Sequence, residues 1–171
     1  LYTAVRTALK TFDELVELQR HREILTFLHQ SVMSLHHFES LEVTLQRILE
    51  TAIAIVPSPL AILNLETFDL MGDSKHYVLY LSTDSETLST EAAVTSIVTQ
   101  ITTDPSLAAL QESGTFENGY LIPLNIARDL GYGWLYIEND LSQPLHRQIL
   151  PMLTAHASNA LYATVVQEML A

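Results

Sequence analysis

The sequence predicts an α+β fold: a central antiparallel sheet of five or six strands, helices on both faces, and long helices at the N- and C-terminal ends. Three observations carry this. Residues 1–35 hold no glycine or proline and repeat apolar residues at 3–4 spacing. Leu60–Leu65, His76–Ser82, Gly119–Leu124 and Tyr132–Glu138 have the length and patterning of strands. Helical segments separate two pairs of strands instead of alternating with single strands, an order that suits an antiparallel sheet rather than a parallel one.

Residues 1–35 are rich in Leu, Glu, Gln and Arg, all good helix formers. Leu18, Leu25, Leu28, Val32 and Leu35 form one apolar row that also includes His21. Val5, Ala8, Phe12 and Leu15 form another in a different phase, so the seam shifts near Val16–Leu18. His36, His37 and Phe38 end this helix. Ser40 then caps a second one, Leu41–Val56, striped by Leu41, Leu45, Ile48, Leu49, Ala52 and Ile55. Pro57 and Pro59 stop it.

Leu60–Leu65 is nearly all apolar, as in a strand covered on both faces. In His76–Ser82, Tyr77, Leu79 and Leu81 point one way, and His76, Val78 and Tyr80 the other. Asp69–Ser74, containing Gly72, is the turn between these strands. Glu86–Thr102 reads as a helix weakened by its Thr and Ser content, and Pro105–Gln111 as a short helix. The last two strands flank a loop over Asn125–Gly131. The closing helix starts after a Ser142 cap, tolerates Pro144 in its first turn, and should kink at Pro151. Within the last strand pair, Leu121 and Leu135 should be buried and Trp134 partly so. Pro123 should sit at an edge, a bulge or a strand end, because it cannot donate a ladder bond.

Composition narrows the function classes. Hydrophobic residues make up 48% and charged residues 16%, which is globular rather than disordered. A net charge of −12 opposes binding to nucleic acid or to an anionic membrane, both of which need a basic surface. With no cysteine there is no disulfide, thiolate metal site or cysteine-linked chromophore, which fits a cytoplasmic setting. Pro57, Ser58 and Pro59 break the longest apolar stretch, short of the ~20 residues a spanning helix needs. Both ends of the sequence fall within helical patterns, which predicts a piece of a longer chain.

Several segments resemble the GAF family. SLEVTLQRILETAIAIV (40–56) is similar to the second helix of a GAF domain. YLIPLNIARDLGYGWLYIEND (120–140) is similar to its last hairpin, and LHRQILPMLTAHASNALYATVVQEM (145–169) to its closing helix. The N-terminal segment, with AVRTALKTFDE and the downstream SLExxLxxIL pattern, resembles the helix leading from a response-regulator receiver into an uncharacterised GAF-like domain. That resemblance implies two-component signalling. It places a receiver upstream and an output domain downstream, of the HD-type cyclic di-GMP phosphodiesterase kind or another. It also implies two parts in this chain: a signalling and dimerisation helix over 1–37, and a GAF-like domain over 38–171.

No constellation points to catalysis. His21 and His29 are eight apart, and His36 and His37 are adjacent; none has the helical spacing of a metal site, so no metal is expected. His21 in HREIL is similar to a phospho-acceptor box, but the proline that normally follows such a box is missing. Carboxylate pairs such as Asp13/Glu14 and Glu138/Asp140 read as solvated surface. Neither glycine-framed serine nor phosphate-cradling loop is present, nor the Asn-Lys-x-Asp motif of cyclic-nucleotide-binding GAF domains. GAF pockets lie between the sheet and the segments after the second strand. The resemblance therefore nominates His76, Tyr80, Asn118, Tyr120 and Arg128 as pocket residues, with ordinary strand roles as the alternative. No cofactor is expected.

Assembly is the stronger expectation. A helix of ~35 residues spans ~50 Å, longer than a domain of this size is wide. Its exposed row should pair with a second copy through Leu18, Leu25, Leu28 and Val32, joined by Leu161, Val165 and Met169 of the closing helix. The first reading is thus a non-catalytic, homodimeric regulatory module relaying a conformational signal. The alternatives are an autonomous small-molecule sensor and a kinase dimerisation segment carrying His21.

Overall fold

The computed structural model describes residues 1–35, 39–83, 87–104, 114–127, 129–139 and 141–170. Helix α1 (Tyr2–Leu35) is unbroken, as its freedom from glycine and proline predicts. The 37/38 boundary and the helix-ending residues 36–38 lie outside the described residues. Helix α2 (Leu41–Ile55) begins where Ser40, in an extended conformation, accepts the Val43 N–H on its Oγ. A second acceptor comes from the far end of the chain: the Leu41 N–H donates to Glu168 Oε1 at 3.0 Å. A carboxylate there also meets the positive end of the helix dipole.

Strand β1 (Leu60–Phe68) and strand β2 (Ser74–Ser82) form a hairpin. The pairing runs three residues further on β1 and two on β2 than apolar patterning alone indicated. Backbone pairing carries the polar Glu66, Thr67 and Lys75 right up to the turn. There Asp69 Oδ1 accepts the Met71 and Asp73 N–H groups, and Gly72 adopts a φ of +85°.

Helix α3 (Thr87–Thr103) forms despite its threonines: Val94, Ile97 and Ile101 pack on the sheet, and Thr99, Thr102 and Thr103 satisfy their hydroxyls on carbonyls one turn back. The short helix expected over 105–111 lies outside the described residues. Strand β3 (Gly114–Phe116) is too short to leave a periodic signal and was not anticipated. Strands β4 (Gly119–Leu124) and β5 (Gly131–Ile137) lie where expected. Helix α4 (Pro144–Leu170) starts with Pro144 in its first position, one residue later than a Ser142 cap would set, and runs unbroken through Pro151. By length and composition α4 is apolar enough to cross a membrane, which a count of uninterrupted apolar residues misses. Half of its most apolar window is buried within the chain, in keeping with a core helix.

The five strands form one antiparallel sheet in the order β2-β1-β5-β4-β3. One face carries Ala61, Leu63, Leu65, Ile122, Leu124, Leu135 and Ile137 against α2 and α4, which supply Leu45, Ile48, Leu49, Leu153, Ala157 and Leu161. The other face carries Leu60, Ile62, Leu121, Trp134 and Tyr136 against Val94, Ile97 and Ile101 of α3. Leu121 and Leu135 are both buried, on opposite faces. Trp134, expected to be partly buried, is covered down to 8% exposure. Pro123 pairs with Trp134 of β5 beyond the last residue that β3 pairs, so on that side β4 has no described neighbour needing its N–H.

Helix α1 has two different halves. Ile24 joins the core on the α2–α4 side and His21 is half-buried, so the C-terminal half packs on its own domain. Every residue from 1 to 20 is exposed. At 100° per residue, the row Val5, Leu9, Phe12 and Val16 lies roughly 120° around the helix from His21 and Ile24. That row therefore faces away from the domain.

Candidate functional site

Helix α3 covers β1 only as far as Ile62. Past that point the same face turns polar in steps of two, because alternate strand residues share a face. Asn64 and Glu66 follow Ile62 on β1. Strand register sets Tyr132 opposite Glu66 and Trp134 opposite Asn64 on β5, His76 opposite Glu66 on β2, and Pro123 opposite Trp134 on β4. Ile101 and Thr102, in the last turn of α3, and Asn125 complete a cleft of about 140 Å³.

Two side-chain pairs organise its polar end. His76 Nε2–H donates to Asn64 Oδ1, and Tyr132 O–H donates to a Glu66 carboxylate oxygen. The Tyr132 phenol is held above its ordinary pKa, first because it donates to Glu66, then by burial and by the carboxylate's charge. Deeper in the sheet, burial, followed by the charges of Glu138 and Glu117, pushes Tyr136 up to about 12. Both phenols are therefore protonated donors at neutral pH. Among the described residues no group of three metal-ligating side chains comes together.

Of the five nominated pocket residues, His76 lines this cleft. Tyr80 shares its face but packs half-buried against the α3 cluster. Tyr120 falls on the opposite face, against the α2–α4 layer, because β4 presents Leu121 and Pro123 to the cleft. Asn118 is exposed in the β3–β4 turn beside Glu117, which has a φ of +48°. Arg128 lies outside the described residues. Asn64, Glu66, Tyr132 and Trp134 were not nominated. A signal for Asn64 was available: it is the one polar residue in LAILNL.

The helical residues nominated for assembly divide similarly. Leu18 and Leu25 are 66% and 46% exposed, with room for a partner. The side chains of Leu28 and Val32 lie outside the described ones. Leu161 and Val165 are buried in the chain's own core and Met169 packs half-buried against it, so they are not surface available to a second copy. The cause is the sheet, which takes the α4 stripe that a free helix would offer elsewhere.

His146 at the start of α4 is buried, and its pKa is lowered by burial and then by the nearby Arg20 of α1. The folded chain thus resists a proton that the unfolded chain accepts near pH 6.5. Its contribution is complete above that pH and is lost as pH falls toward the lowered value. Urea titrations should show the stability difference between wild type and His146→Gln shrinking from pH 7 to pH 5. A difference that is flat or grows on acidification would contradict this.

No protein-family model matches the sequence, and a search of curated proteins finds no match. Solved structures do match. The GAF domain of a protein described as a sensor histidine kinase from Pseudomonas syringae pv. tomato superposes with a TM-score of 0.62, at 16% identity, over 92% of this chain and 97% of that one. An N-acylhomoserine-lactone-dependent LuxR-family transcription factor from Burkholderia cenocepacia superposes with a TM-score of 0.55, at 15% identity, over 86% of this chain and 98% of that one. At these identities the likeness is one of fold: the chain has a GAF-like fold.

Proposed function

We propose that this chain is a non-catalytic regulatory module that dimerises through α1 and relays a conformational change along that helix. One observation carries the reading. The first half of α1 presents Val5, Leu9, Phe12 and Val16, together with Tyr2 and Leu15, and all of them are exposed. The second half docks a different side of the helix onto α2 and α4. Twenty residues at 1.5 Å each carry the exposed row about 30 Å beyond the docked half.

A second copy is the occupant that fits. Each buried side chain of this kind contributes ~1.5–3 kcal/mol, and four on each of two chains can exceed the cost of association. A parallel pair would put two docked domains side by side below a two-helix stem. Twisting or sliding the stem would then act on α2 and α4 through Ile24. The sequence resemblance supplies the setting: a cytoplasmic two-component protein with a receiver upstream and an output domain downstream, one acting in cyclic di-GMP signalling among the candidates. Light scattering at tens of micromolar should give twice the chain mass; a monomer at that concentration would remove the basis for the relay.

A second reading, that of a small-molecule sensor, is favoured by the cleft. The cleft opens where α3 ends, and it is lined by a buried amide, a carboxylate and two aromatic rings on a sheet face that is otherwise apolar. The LuxR-family neighbour's dependence on an acylhomoserine lactone makes ligand control on this fold a working precedent. The two readings are compatible, since a ligand against β1 and α3 could bias the same helical stem.

A further inference from the structure

We infer that the cleft accepts a small amphipathic cation: an ammonium group held at Glu66, carrying an apolar body the size of a single ring that lies against Trp134. This rests on the sensor reading above and names the ligand class for that site.

The cleft is graded from floor to rim. Ile101, Leu121 and Trp134 are buried and form an apolar floor. Two residues past Asn64 on the same strand face stands Glu66, half-buried, with Tyr132 opposite it at 53% exposure. Among the described residues Glu66 is the one carboxylate that lines the cleft, and no lysine or arginine lines it. The ion pairs join Lys10 to Glu14 and Arg47 to Glu39; among the described residues none reaches Glu66. His76 lies opposite Glu66 in register but gives its Nε2–H to Asn64 instead. Tyr132 donates to one Glu66 oxygen and so orients the carboxylate, but a neutral phenol leaves the charge in place.

The ligand's charge follows from what covering this carboxylate costs. A neutral molecule seated on the floor strips water from Glu66 and returns nothing to its charge. An anion adds repulsion, in a chain of net charge −12. A cation replaces the lost water with a charge-assisted hydrogen bond. A metal ion lacks its ligands, because among the described residues no group of three metal-ligating side chains comes together. An organic ammonium needs only the one carboxylate, and its apolar body displaces water from the floor. Trp134 and Tyr132 add aromatic surface, which a cation approaches at lower cost than an aliphatic wall. A volume of about 140 Å³ suits a single ring with its ammonium arm.

Trp134 is the chain's sole tryptophan, so its indole N–H resonance reports on this cleft. The test titrates benzylammonium, benzyl alcohol and benzoate, which share a ring and differ in charge. Benzylammonium should shift the Trp134 resonance to saturation at concentrations where the other two barely move it. Glu66→Gln keeps the size and removes the charge. It should weaken benzylammonium about tenfold, the worth of one charged hydrogen bond, and leave benzyl alcohol unchanged. A melting curve checks that the variant is folded, and the three-ligand comparison on the wild type needs no variant. Benzyl alcohol or benzoate binding as tightly as benzylammonium, or an undiminished benzylammonium affinity in folded Glu66→Gln, would overturn the cation while keeping the cleft as a sensor site. No Trp134 response to any of the three would overturn both.

Discussion

The Leu9→Glu, Phe12→Glu double variant is expected to be a monomer that keeps its sheet. In the single chain both side chains are largely exposed, at 59% and 63%, and touch none of the core. The folded domain therefore loses little. A dimer paired along this row loses two apolar side chains on each of two chains, ~6–12 kcal/mol at 1.5–3 each, and gains four carboxylates along the seam. Even the lower figure raises the dissociation constant by about 10⁴. Light scattering reads the mass and far-ultraviolet circular dichroism reads the sheet. A variant that remains dimeric would move the interface elsewhere. Leu18→Glu, Leu25→Glu tests the row favoured by the sequence reading. Its effect should be smaller, because there α1 is already held by its own α2 and α4.

The Gly133→Ala variant should lose stability from a single methyl group pressed against backbone. Gly133 lies in β5, paired with Leu65 of β1 at the middle of the sheet. A Cβ there would meet the Asn64 carbonyl oxygen at 2.5 Å and Leu65 Cδ1 at 3.0 Å. The first is backbone in a ladder with strands on both sides, so it cannot swing away as a side-chain tip would. Overpacking of this kind costs about 1–3 kcal/mol, and a clash against backbone belongs at or above the top of that range. The urea midpoint should fall accordingly, and the Asn64 end of the cleft should be disturbed with it. Gly114→Ala is the matched control: among the described residues nothing lies within 4 Å of the position its Cβ would take, and the midpoint should barely move. Equal losses in the two variants would mean that glycine's backbone freedom, rather than contact, is what matters at Gly133.

Much of the architecture was legible before any coordinates. Ser40, Pro57 and Pro59 mark the limits of α2 because capping and the lack of an N–H act within a few residues. The strand core in HYVLYLS follows from period-two patterning, that in LAILNL from an apolar run covered on both faces, and the Asp69–Ser74 turn from turn chemistry. The GAF-like fold likewise follows the order of elements that the sequence displays. Local physics decides these features, so local residues reveal them. β3 escaped because three residues carry no period.

The site and the surfaces were decided elsewhere. Tyr80 and Tyr120 each look like a strand aromatic with one wet end, yet register sends them to opposite faces. Asn64, Glu66, Tyr132 and Trp134 stand far apart in sequence and meet only because β1 pairs with β5. Leu161 and Val165 carry the same stripe that an intermolecular seam would, but the sheet buries them first, while Val5, Leu9, Phe12 and Val16 are left without an intramolecular partner. A sequence states which residues must leave water. Which neighbour covers them depends on strand register and on the rotation of one helix against another, and both are fixed only when the whole core packs at once.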